Sequence, residues 1–144
     1  CREKKLGGVV APNFSIGAVL MMTLSQQAAK YFNDVEIIET HHTQKKDAPS
    51  GTATRTAEMI AGANPALKTT RDNQQGDQSL GVPIHSIRMP GIYARQHVLF
   101  GAPGETLSIE HDCSNPQAYM PGVLIACKKV MTLDHMVYGL EALL

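Results

Sequence analysis

The chain has 144 residues, is 43% hydrophobic, and balances 13 Lys and Arg against 13 Asp and Glu. That is enough apolar material for one domain with a core, while neutral charge, no basic patch and no Trp argue against nucleic acid as a partner. The apolar run 18–22 is too short to span a bilayer. Residues 1–5 lead into a strand-like run rather than a cleavable apolar region, so no signal peptide is expected. Cys1, Cys113 and Cys127 are odd in number and lack CxxC spacing, and read as reduced cytosolic packing thiols, which places the protein in the cytoplasm. A first residue other than Met points to a piece of a longer protein.

In chain order, 6–11 (LGGVVA) reads as a short buried strand and 12–15 as a crossing segment. Asn13 to Ser15 can cap a helix whose apolar face is Ile16, Leu20, Leu24, Ala28 and Tyr31, with Met21 and Met22 as core residues. Residues 35–40 form a strand, and 52–61 a helix with Gly62 as its stop. Segment 64–82 is polar and glycine-containing, and reads as a long, mobile surface loop. Strands are expected at 84–89, 93–100 and 105–111, the last alternating Leu107 and Ile109 with polar residues. With 35–40 they make a four-stranded sheet, helices on one face. A final helix carries Tyr119, Val123, Leu124, Cys127, Val130 and Met131 on one face, and 133–144 is an apolar tail. His85, His97, His111 and His135 read as isolated core or surface residues.

The chemistry concentrates in 41–53, HHTQKKDAPSGTA. Ser50 is a favoured N-cap and Pro49 argues against a helix reaching further back. The amides of Gly51, Thr52 and Ala53 are then free donors at a positive helix end, which suits an anion, and Gly51 allows close approach. Thr52 adds a hydroxyl, and Lys45 or Lys46 a full charge. His41 and His42, at the strand end, suit proton donation near neutral pH. The turn is neither a Walker loop nor a GxSxG elbow. A small carboxylate is the natural ligand; a capped helix beside solvated lysines and hydrogen-bonded histidines is the structural alternative.

The stretch EIIETHHTQKKDAPSGTA resembles the signature E-x-H-H-x-x-K-x-D-A-P-S-G-T-A of the dihydrodipicolinate (4-hydroxy-tetrahydrodipicolinate) reductase family and matches it at every fixed position. Similarity continues from Val10 to the end, but only to the C-terminal half of that family. The resemblance implies an α+β fold with a mostly antiparallel mixed four-stranded sheet, its open face used for homotetramer formation, and a Rossmann domain missing before Cys1. It implies that 1–12 close the nucleotide domain, 13–117 bind substrate and oligomerise, and 118–144 return to the nucleotide domain. It implies NADH or NADPH as hydride source in lysine and diaminopimelate synthesis, His41 as proton donor helped by Lys45, and His42, Lys45, Ser50, Gly51 and Thr52 as substrate ligands. Asn13 and Phe14 would lie near the nicotinamide. Lys46 falls where relatives vary and reads as solvated; Asp47 would order the loop. Pro116 stands where many relatives have Arg.

Two other functions compete. One is a stand-alone dicarboxylate-binding or assembly module. The other is a metal-dependent hydrolase using His41, His42 and Asp47; neighbouring strand residues point to opposite sides and chelate one ion poorly, so no metal is expected.

Overall fold

The computed structural model describes residues 2–67, 76–77 and 81–144. The main sheet has four strands in the order β3-β2-β4-β5, formed by β2 (Asp34–His41), β3 (Ile84–Arg88), β4 (Ala94–Ala102) and β5 (Glu105–Cys113). β2 runs parallel to β3 and antiparallel to β4, and β4 is antiparallel to β5. This is the expected mixed, mostly antiparallel sheet. Two helices, α1 (Ile16–Ala28) and α2 (Gly51–Ala63), pack on one face and on each other. The core lies between them and Val35, Ile37, Val98 and Phe100. Alternation along each strand produces this, since every second side chain faces the helices. The opposite face presents Ile38, His85, Ile87, His97 and Leu99.

A second, two-stranded parallel sheet pairs β1 (Gly8–Val10) with β6 (Met136–Tyr138). The expected strand at 6–11 is therefore present but shorter, and its partner comes from the tail, where only apolar content was legible. Beyond β6, Leu140 and Leu143 are buried in the main core. Helix α3 (Met120–Val130) follows a 3-10 turn at Pro116–Tyr119, which Asn115 caps by accepting from Gln117 N at 2.9 Å.

Several expectations need correction. In α1 the buried residues are Ala18, Val19, Met21, Met22 and Ser25. Leu20, Leu24 and Tyr31 are 50%, 55% and 83% exposed, so most of the expected stripe faces outward, although Ala28, Met21 and Met22 do meet the core. α1 carries apolar residues on both sides, so periodicity alone could not orient it. In α3 the buried residues are Gly122 and Ala126, while Leu124, Cys127 and Met131 are exposed. Cys127 is thus not a packing thiol, whereas Cys113 is buried and its Sγ–H donates to Asn115 O at 3.2 Å. Gly62 lies inside α2, which runs on to Ala63 with Asn64 as C-cap. Of the expected loop 64–82, residues 68–75 and 78–80 lie outside the described residues. The described parts are anchored: Asn64 Nδ2 donates to Ala29 O at 2.8 Å, and Leu67 and Val82 are buried. His85 and His111 are not isolated, since His85 pairs with Glu36 at 2.5 Å and His111 Nε2 lies 3.2 Å from Ser15 Oγ. Burial holds His111 below the ordinary imidazole range, with Asp112 opposing. Among the described residues no helix is long and apolar enough to cross a membrane.

Close helix approach sets one sequence requirement. A Cβ on Gly122 would fall 1.9 Å from the carbonyl oxygen of Phe14. Gly122→Ala must therefore push α3 away from the 12–15 crossing. Overpacking of this kind costs about 1–3 kcal/mol, and a lowered urea midpoint with unchanged m-value is the expected result.

Candidate active site

The site forms where β2 ends and α2 begins. Ser50 Oγ accepts from Ala53 N at 3.1 Å and caps α2, which starts at Gly51. Ser50 is buried, and its Oγ accepts in this cap while keeping its own proton to donate. Thr52 Oγ1 accepts from Asn13 Nδ2 at 3.1 Å, leaving its own proton to donate. Asn13 Oδ1 in turn accepts from Ser15 N at 2.8 Å, so both polar ends of the Asn13 side chain are engaged. Gln96 Nε2 donates to Thr56 Oγ1 at 2.7 Å, and Thr56 donates to Thr52 O at 2.8 Å, fastening the first turn of α2 to the sheet. Ser50→Ala removes the cap and should cost about 1 kcal/mol by thermal or urea unfolding.

A cavity of about 520 Å³ opens over this turn. Asn13, Phe14, His41, His42, Lys45, Ser50, Gly51 and Thr52 all line it, together with Lys46, Asp47, Tyr93 and Tyr119. Every site residue expected from the sequence thus reaches one cavity. The His42 ring stacks on Tyr93, with centroids 5.8 Å apart. Lys45 Nζ donates to both carboxylate oxygens of Asp47, at 2.8 and 2.7 Å. That contact holds Asp47 below its ordinary value. Burial, with contributions from Cys113 and Tyr93, raises Tyr119 above the ordinary phenol range.

Two further residues take part: Glu39, which stands in the signature without an assigned role, and Arg88. Glu39 is 0% exposed and accepts from both arms of Arg88, at 2.9 and 2.8 Å. His41 Nδ1 lies 2.5 Å from Glu39 Oε2. Burial alone would raise the Glu39 carboxyl, but the bonds from His41, Arg88 and Ser86 outweigh it and hold the group at about 2. An ionised carboxylate only accepts, so the proton in the His41 contact sits on Nδ1. Arg88 also donates to Asp47 O at 2.7 Å, which ties the lysine loop to β3. A signal for Glu39 existed, since alternation puts it on the same face as Ile37. Arg88 had none, because its contact with Glu39 joins residues 49 apart in sequence and depends on the β2–β3 register.

This architecture and site define an α+β domain with an anion-accepting helix end beside a histidine pair. The family model described as "Dihydrodipicolinate reductase, C-terminus" matches residues 17–144. The chain belongs to that family. A 4-hydroxy-tetrahydrodipicolinate reductase of Coxiella burnetii (strain Dugway 5J108-111) is 57% identical over 146 residues, covering 100% of this chain and 61% of the relative. A reductase of the same name from Legionella pneumophila (strain Philadelphia 1) is 53% identical over 150 residues, covering 100% of this chain and 62% of the relative. A solved structure described as dipicolinate-bound dihydrodipicolinate reductase from Paenisporosarcina sp. TG-14 superposes with a TM-score of 0.84 at 49% identity, over 99% of this chain and 57% of that one. The chain thus spans about 61% of the length of the curated relatives it matches.

Proposed function

We propose that this chain is the substrate-binding part of an NADH- or NADPH-dependent 4-hydroxy-tetrahydrodipicolinate reductase of lysine and diaminopimelate synthesis, a cytoplasmic homotetramer. The observation that carries the reading is the convergence of His41, His42, Lys45 and the open start of α2 on one cavity, in a fold shared with a dipicolinate-bound relative.

The substrate is a six-membered ring carrying two carboxylates. One carboxylate meets the amides of Gly51 and Thr52, the Thr52 hydroxyl and the Lys45 ammonium, which combine helix-end charge with a full cation. A Cβ on Gly51 would meet nothing within 4 Å. The fold therefore does not require glycine there, and the open space suits a ligand against the backbone. Ser50 Oγ accepts in the cap and keeps its own proton to donate to the same carboxylate. His42, held flat against Tyr93, lines the same side. Loss of the 4-hydroxyl as water leaves an unsaturated ring; His41 then delivers a proton to that ring as hydride reaches the adjacent carbon, and Lys45 stabilises the charge that develops.

The nicotinamide supplies that hydride when bound. Asn13 and Phe14 line the cavity and face the ring from this crossing. The division of the chain at residues 12 and 117 belongs to the same proposal, with 1–12 and 118–144 meeting the nucleotide-binding part. Joining of β1 to β6 supports it by bringing those two segments together. The outer sheet face, with Ile38, Ile87 and Leu99, supports the tetramer, which sedimentation would test.

Calorimetry with pyridine-2,6-dicarboxylate tests the core claim. Binding by the chain, strongly weakened in Lys45→Ala, is expected. Equal binding by both would instead favour a general dicarboxylate-binding module without this site.

A further inference from the structure

We propose that buried Glu39 and the Arg88 that clamps it form a positioning pair that fixes the tautomer and orientation of His41 and presents its Nε2 to the cavity. The inference rests on the reductase reading and names residues that act through His41 rather than on substrate. Three observations combine. Glu39 is fully buried and faces the helices, where a carboxylate is costly unless every oxygen is bonded. Arg88 meets both its oxygens at 2.8 and 2.9 Å, so the carboxylate plane is set by a rigid fork rather than by a flexible chain. The oxygen that accepts from one Arg88 nitrogen also accepts from His41 Nδ1 at 2.5 Å.

A histidine that gives or takes a proton through one nitrogen needs the other committed. With Nδ1–H on Glu39, the neutral ring has its lone pair at Nε2, and the protonated ring has its transferable proton there. Reversal of the tautomer would leave Nε2 unable to be recharged and would set a lone pair against the Glu39 anion. Arg88 does a second thing from the same place. Its donation to Asp47 O at 2.7 Å fixes the loop that carries Lys45 relative to His41. Proton donor and carboxylate cation are thereby held in one frame by a single guanidinium.

The test uses long-range 15N–1H correlation spectra of the histidine rings, at a pH where imidazole is neutral, together with dipicolinate calorimetry on the same samples. In the natural chain His41 should be in the Nδ1–H form. Glu39→Gln should shift it toward Nε2–H. Because that variant strands the Arg88 charge, Glu39→Gln combined with Arg88→Met removes both charges together, and the same shift is expected there. In the chain extended to the length of its relatives, the double variant should lower kcat by about ten- to a hundred-fold with a much smaller change in KM. An Nε2–H ring in the natural chain, or a tautomer unchanged in both variants, overturns the proposal whatever the calorimetry shows. An Nδ1–H ring that is lost in the variants, in a chain that binds no dipicolinate, supports the pair and overturns the reductase reading instead.

Discussion

Glu39→Ala should lower folding stability by about 3 kcal/mol, the low end for breaking a buried ion pair, because the Arg88 left behind is 19% exposed. The loss exceeds that of the cap variant because Arg88 keeps its charge in a site built for a carboxylate. The same group makes stability pH-dependent. Its carboxyl is held at about 2 in the folded chain against an ordinary value near 4.5. The unfolded chain therefore takes up this proton first as pH falls. The contribution is fully present above about pH 5 and is lost as pH drops toward 2. It amounts to about 3 kcal/mol for this carboxyl. Urea midpoints measured from pH 6 down to pH 2.5 should fall steeply for the natural chain. They should fall less for the double variant that lacks both charges. Parallel curves would show that Glu39 is not the group responsible.

Lys45→Ala should weaken dipicolinate binding by about ten- to a hundred-fold, the loss of a charge-assisted hydrogen bond of roughly 1.5–3 kcal/mol. The neighbouring carboxylate gives this prediction a second arm. Asp47 holds Lys45 through both oxygens, at 2.8 and 2.7 Å, as a substrate carboxylate would. A ligand must displace it. Asp47→Asn keeps the backbone carbonyl that Arg88 binds and removes only the competing charge. Binding should then tighten by about two- to five-fold, the range set by exposed ion pairs. Weaker binding in Asp47→Asn would mean that this carboxylate supports the lysine rather than competing for it. Calorimetry at two salt concentrations separates the cases, since the competing pair is exposed and screened.

The site was far more legible than the helix packing. Ser50, Gly51 and Thr52 announce themselves because capping is local: an N-cap, a glycine and free amides are set by residues a few positions apart. The strands were legible for a similar reason, as period-two alternation reports one buried face. α1 shows the limit. Leu20 and Leu24 are as apolar as the residues that are buried, and only contact with α2 and β5 decides which side faces inward.

The sequence by itself determined the strand-to-helix turn, the Ser50-capped start of α2, the two histidines and the lysine beside it, and the four strands of the sheet. All of these depend on neighbours within a few residues. Only the tertiary structure decided which faces of α1 and α3 are buried, that β6 joins β1, and that Arg88 reaches across 49 positions to clamp Glu39 behind His41. Register between distant strands decides those contacts, and register is a property of the whole packed sheet.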